Sequence, residues 1–411
     1  MTNYRNNHYV PIWYQERFIS DAAKERKFHY LDLRPETVTR NNHTFRRNEL
    51  LNWGPKNCFC QEDLYTTRLG SQFSTAIEQE FFGLVDQTAP AAVDYFTNFT
   101  HPSADHGFYR QFLLHLSLQK LRTPKGLKHL ALLSGLKDTN ALLREMQRLR
   151  ALFCAIWTES IWTIATVDAS DTGFLVSDHP VTVYNQGCFP ASRWCRDGAE
   201  PDIWLSGTHT LFPLRPDRIL ILTNLSWVRH PYGNPVKNRP NPNPLRPAMF
   251  NFSSIQTGRS LSPLEVAKIN YIIKARALRY VAAEKREWLY PEKIVGRPQW
   301  DSFGKEYLLM PDPRSVTFST KIVMGFAKGG SDSFDEYGRK AWDKDFEDPV
   351  RMSRDWETFH AFQGEYARLF GPYRRGRSFE FARDVPERDS DDYHNYHLTL
   401  EKKNRKHRYA R

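Results

Sequence analysis

The stretch RILILTNLSW, Arg218–Trp227, sets the fold class. Its unbroken run of β-branched and aliphatic residues reads as a strand buried on both faces. IWTIATV (161–167) and GFLVSDHPVTVY (173–184) have the same character. Around them lie segments of helical period. GFYRQFLLHLSLQKLR (107–122) sets Phe108, Phe112, Leu116 and Leu121 towards one side, with Pro124 as a stop. NALLREMQRLRALFCAIW (140–157) carries Leu142, Met146, Leu149, Phe153 and Ile156 on one stripe. SPLEVAKINYIIKARALRYVAAEKREWL (262–289) opens as a helix, with Ser262 as N-cap, Pro263 at the first turn and Glu265 completing a capping box. Strands and helices together predict an α+β core over residues 1–290, a mixed β-sheet with flanking helices.

Both ends extend this pattern. HYVPIWY (8–14) and FHYLDL (28–33) read as short strands, with Pro11 suited to an edge or a strand start. SQFSTAIEQEFFGLVDQ (71–87) places Phe73, Ile77, Phe81 and Leu84 at helical spacing. RHPYGNPVKNRPNPNPLRPAMF (229–250) is too rich in proline and asparagine for regular structure. Residues 291–411 read as a C-terminal extension with thin apolar patterning outside DWETFHAFQGEYARLF (355–370), ending in the basic tail EKKNRKHRYAR. They hold 23 Lys and Arg against 21 Asp and Glu, so most of the excess positive charge lies before them.

The 411 residues are 40% hydrophobic and 26% charged, a globular balance. No apolar run reaches membrane-spanning length, and the N-terminus has no apolar core of a signal peptide, so a soluble, cytoplasmic protein with no membrane partner is expected. Five scattered cysteines fit a reducing compartment without a disulfide framework, and Cys58-Phe59-Cys60 lacks the second pair a zinc knuckle needs. A net charge of +11 favours a polyanionic partner. Phosphate-binding loop, dinucleotide fingerprint, nucleophile elbow and H-E-x-x-H are all missing from the sequence.

A handful of polar residues carry candidate chemistry. His8 is either a histidine of the core or a general base with a working pKa near neutrality. Glu78 and Glu80 stand beside the phenylalanines of their segment, as solvated charges or as cation ligands. Asp178 ends an apolar strand, where it either caps a turn or presents a carboxylate to a cleft. His179 follows it directly, and adjacent residues on a strand point opposite ways, so the two would not share an ion. Arg122 complements a helix C-terminus or offers a fork to phosphate or carboxylate. The pairs His101/His106 and His394/His397 are weaker metal candidates.

Taken in order, these segments resemble domain-of-unknown-function family 4238, marked by an N-terminal HYVP motif. The matching residues are His8-Tyr9-Val10-Pro11 with Tyr14 and Phe18, Cys60 to Tyr65, Ile77-Glu78, and Gln119 with Arg122-Thr123-Pro124. They continue through Trp162, Phe174, Ser177-Asp178-His179-Pro180, Phe212-Pro213-Leu214, and Asn270, Ala275 and Arg279-Tyr280. The likeness spans roughly residues 4–285. Gln15 and Glu16 depart from the usual leucine and basic or polar residue, and His179 from a common asparagine. The family supplies positions rather than a reaction. His8, Glu78, Arg122 and Asp178 all fall inside matching motifs, which implies a shared cleft, with Tyr14, Gln119 and Asn270 as binding residues.

The leading expectation is a metal-dependent nuclease, a hydrolase of RNA or DNA in a defence or toxin setting. His8 would act as general base or ligand, Glu78 and Asp178 would hold Mg²⁺ or Mn²⁺, and Arg122 would neutralise the phosphoryl oxygens. One alternative is a non-enzymatic nucleic-acid-binding or regulatory protein, in which exposed aromatics and lysines do the binding. The other is an enzyme on a small phosphorylated or carboxylated ligand gripped by Arg122.

Overall fold

The computed structural model describes residues 6–20, 25–40, 43–65, 67–69, 72–74, 82–100, 104–168, 171–195, 199–239, 255–296, 299–316, 322–335, 339–344, 346, 348–372, 377–378 and 390–408. The stretch Arg218–Asn224 is the middle of a six-stranded sheet. Across that sheet the order is Thr182–Asn185, Thr208–Arg215, Arg218–Asn224, Ser160–Val167, Ile255–Leu261 and Arg377–Ser378. Its pairings are antiparallel except the one between Ser160–Val167 and Ile255–Leu261, which is parallel. The sheet is therefore mixed, and the fold is α+β.

Side-chain alternation explains why the central strands are mostly apolar on both faces. Trp162, Ile164, Phe212, Leu214, Leu220 and Leu222 enter one core, on the side of helices Gly83–Thr97 and His106–Leu121. Ala165, Leu211, Ile219 and Ile221 enter a second core beneath helix Pro263–Arg276. A sheet covered on both faces needs apolar residues on each of them.

A second, antiparallel sheet of four short strands joins Val176–Ser177, Tyr280–Ala283, Phe28–Asp32 and Leu50–Trp53. The segment GFLVSDHPVTVY thus divides its two strands between two sheets, with Asp178 and His179 at the crossing.

Several elements differ from the sequence reading. HYVPIWY forms strand only to His8, paired with Cys60–Glu62, and Pro11 then precedes the short helix Ile12–Glu16. Phe73 lies in the strand Gln72–Ser74 and the following helix runs Gly83–Thr97. Residues 75–81, and with them Glu78 and Glu80, lie outside the described residues, as do His101 and 240–250 of the proline-rich loop. Pro124 does not merely stop a helix but opens the next, Pro124–Ser134, capped by Thr123. The capping box of Ser262 and Glu265 is present, yet that helix ends at Arg276 and Tyr280–Ala283 is a strand.

The C-terminal residues pack on this core. Phe359, Phe362 and Tyr366 of helix Pro349–Phe370 share a cluster with Ile161 of the sheet and with Trp227, Val228, Met310 and Val316. Among the described residues no helix is long and apolar enough to cross a membrane. Phe362→Ala is expected to destabilise the protein by about 3–5 kcal/mol, the cost of an aromatic-to-alanine cavity. Urea denaturation monitored by the core tryptophans measures this, and a loss confined to the C-terminal helices would show as a separate first transition.

Candidate functional site

Helix His106–Leu121 delivers the motif residues to one place. The turn after it is tight: a Cβ on Gly126 would meet the Lys120 carbonyl oxygen at 2.3 Å. The Gln119 amide donates to the Tyr9 carbonyl at 2.9 Å. Arg122 donates from Nε (2.9 Å) and Nη2 (2.6 Å) to the Gln119 side-chain oxygen. Its Nη1 and Nη2 also reach both oxygens of Asp86, at 2.8 and 3.2 Å. The Tyr65 hydroxyl closes the ring by donating to the Arg122 carbonyl at 2.7 Å, while its own N–H reaches the Asn7 side chain at 3.4 Å. HYVP, Tyr65 and the Gln119–Arg122 turn are therefore one buried network. Within it Arg122 is 1% exposed and its fork is occupied by protein groups, which removes it from the phosphoryl role expected of it.

Asp178 is likewise committed. Its carboxylate accepts from the backbone N–H groups of Leu278 (2.8 Å), Arg279 (2.6 Å) and Tyr280 (2.8 Å). Burial pushes its carboxyl up while the three donors pull it down. Used in this way it caps a turn, and its oxygens do not face a shared ion. Among the described residues no three His, Cys, Asp or Glu side chains are placed to hold a metal together.

Of the remaining assigned residues, Tyr14 and Asn270 are also structural. Tyr14 is fully buried, stacks on Phe212 with ring centroids 5.1 Å apart, and donates its hydroxyl to the Pro213 carbonyl. Asn270 bridges the approach to a strand, donating to the Gly173 carbonyl at 2.8 Å and accepting from Leu175 N–H at 3.2 Å. His8 is half-buried, with Nε2 3.1 Å from the Lys56 carbonyl. Burial lowers its pKa, against the pull of that carbonyl.

The most highly charged cluster in the interior was not read from the sequence. Lys120, the residue after Gln119, directs its ammonium to the Glu200 carboxylate, to His179 Nε2 at 2.8 Å and to the Val181 carbonyl at 3.2 Å. Lys125 reaches the other Glu200 oxygen at 2.8 Å and donates to the Arg276 carbonyl. His179 Nδ1 lies 2.6 Å from Thr123 Oγ1, which already accepts from Gly126 N–H. His179 Nε2 faces the Lys120 ammonium, a donor, and also the Glu200 carboxylate at 3.1 Å, an acceptor, so the ring is packed between the two charges. Burial drives Lys120 down to about 8 and His179 down to about 3. Burial pushes Glu200 up, but His179, Lys120 and Lys125 outweigh it and hold the carboxylate well below its usual range. Nothing in a helical stripe marks Lys120 as buried, and Glu200 sits in an unpatterned loop.

This cluster is closed to solvent. A cleft of about 830 Å³ lies elsewhere, and carries Glu16, Asp94, Asp168, Asp217 and Glu284 against two arginines. Those arginines are themselves paired, Arg17 with Asp94 at 2.5 Å and Arg215 with Asp217 at 3.2 Å. A cleft of that charge repels a polyanion.

The chain belongs to the family described as protein of unknown function DUF4238, whose model matches residues 6–287. No curated protein and no solved structure matches it.

The buried cluster fixes a pH response. The unfolded chain takes up a proton on His179 near pH 6.5, whereas the folded chain does not until about 3. The unfolded state thus binds more protons across that window, so stability falls as pH drops below 6.5, and Glu200 adds the same sign below its unfolded value. Denaturant titrations from neutral to mildly acid pH are expected to show this slope, and His179→Gln to reduce it by up to about 1.4 kcal/mol per pH unit. An unchanged slope would mean that His179 is charged in the folded protein.

Proposed function

We propose that this protein binds nucleic acid through exposed aromatic rings flanked by cations, and that its interior polar networks hold the fold. The observation that carries this reading is the pair Arg193–Trp194. The guanidinium lies 4.8 Å from the indole ring, and Trp194 is 60% exposed. Lys340 lies 4.9 Å from the buried Phe334 and 5.9 Å from Trp342, which is 80% exposed, with its ammonium paired to Asp332. Bases stack on such rings whatever their sequence, and the adjacent cation meets the phosphate. The net charge of +11 supports a polyanionic partner. Occupation of Arg122 and Asp178 by protein groups speaks against a catalytic centre built on those two residues.

Fluorescence anisotropy with labelled single-stranded RNA and DNA tests the reading. Affinity is expected to fall linearly on a log–log plot against salt. Trp194→Ala is expected to weaken binding by about 5- to 100-fold, the worth of one stacked base. Binding that is absent at low salt, or indifferent to Trp194, would overturn it.

Hydrolysis is the second reading, and His8 is the observation that favours it. Because a carbonyl only accepts, the contact with Lys56 calls for the proton on Nε2, and burial keeps the half-buried ring neutral, the form a general base starts from. In that reading Glu78 supplies a carboxylate to Mg²⁺ or Mn²⁺. Incubation of labelled RNA and DNA with either ion would then show cleavage that His8→Ala lowers by about 10²- to 10⁴-fold. Intact substrate with both ions removes this reading and leaves binding alone.

A further inference from the structure

The loop that carries Arg193 and Trp194 is folded back on itself. Ser192 N–H bonds to the Phe189 carbonyl at 3.0 Å, and Cys195 N–H to the Ser192 carbonyl at 3.0 Å. Ala191 between them takes the left-handed conformation, with φ 68°. These two turns bring Cys195 back to Cys188. The Cys195 thiol donates to the Cys188 carbonyl at 3.2 Å, which sets its sulfur against the Cys188 residue. Arg276 fastens the base of the loop. Its Nη2 holds the Cys188 carbonyl at 2.5 Å and its Nη1 the Ala199 carbonyl at 3.1 Å. Both cysteines are buried, at 7% and 6% exposure, and both are reduced thiols.

We propose that Cys188 and Cys195 form a reversible disulfide that sets the conformation of the Arg193–Trp194 loop. The oxidant class is a hydroperoxide, small enough to reach thiols just below the surface. The Cys195 thiolate attacks the peroxide oxygen, the O–O bond breaks, and a sulfenic acid forms with loss of one water. The Cys188 sulfur then attacks the sulfenic sulfur, the S–S bond forms and the S–O bond breaks with loss of a second water. Two thiols and one hydrogen peroxide thus become one disulfide and two waters, the sulfurs losing the two electrons the peroxide gains. Burial, reinforced by the neighbouring Cys195 sulfur, pushes the Cys188 thiol up despite Arg276. Reduction by a dithiol reverses the step. The consequence for nucleic acid rests on the binding reading above; the disulfide does not.

Wild-type protein is treated with hydrogen peroxide, unfolded, alkylated and digested with trypsin. Cleavage after Arg193 and Arg196 frees the tripeptide Trp194–Cys195–Arg196, so the disulfide appears as that tripeptide joined to the peptide 151–193. The expected product is lighter by two hydrogens, vanishes with dithiothreitol, and is absent from Cys188→Ser. That variant separates Cys188 from Cys154, which lies on the same peptide. Five alkylated cysteines after oxidation, or a link that persists in Cys188→Ser, would overturn the proposal. In parallel, oxidation is expected to tighten RNA or DNA binding by about 2- to 10-fold, the gain from ordering one or two contact side chains in advance. A disulfide with unchanged affinity overturns the regulation, whereas a disulfide in a protein that binds no nucleic acid in either state sinks the binding reading and leaves the thiol pair standing.

Discussion

The fold turns on a single carboxylate. Asp178 follows the strand Val176–Ser177 of the smaller sheet and precedes Thr182–Asn185 of the larger one. By accepting from three consecutive N–H groups at 278–280, it pins the start of Tyr280–Ala283 where the chain changes sheets. Arg279, held in that grip, reaches on to Asp32 at 2.8 Å and Glu36 at 2.8 Å. Burial raises the Asp178 carboxyl despite its three donors, and losing the side chain would leave those donors unmet. Immediately after it, His179 turns the other way into the Lys120, Lys125 and Glu200 cluster. Two neighbouring residues thus organise two separate polar interiors.

This division explains how motif residues scattered along the chain meet in the interior. Gln119, Arg122, Tyr65 and the HYVP backbone satisfy one another's polar groups. Buried polar groups that are fully paired specify one arrangement of the core at high energetic stakes. Function on this reading belongs to other surfaces: the Arg193–Trp194 loop lies within the residues the family model matches but outside these polar networks, and Trp342 lies beyond residue 287.

Legibility in the sequence followed physical kind. Continuous apolar strands such as Arg218–Asn224, and a start signal as local as Ser262-Pro263-Leu264-Glu265, are written in neighbouring residues and were readable. The helical spacing of Phe73, Ile77 and Phe81 misled because Phe73 belongs to a hairpin, a pairing decided by the partner strand rather than by period. Thr208–Arg215 hides behind Pro213, which a central strand ordinarily excludes. The positions of Arg122 and Asp178 were visible, but their partners Asp86 and the backbone at 278–280 lie far along the chain. Lys120 and Glu200, 80 residues apart, become a pair only once the fold exists.

The strand Arg377–Ser378 has a consequence for the order in which the molecule can be completed. It is the edge strand of the larger sheet and covers Gln256 and Thr257 of the next strand, close in sequence to the helix that covers Ile161 and Trp227. A ribosome that has released only the first 290 residues exposes that next strand and that apolar patch together, an invitation to pair with another chain. The nascent protein stays adhesive until the last quarter of its own sequence arrives to seal it.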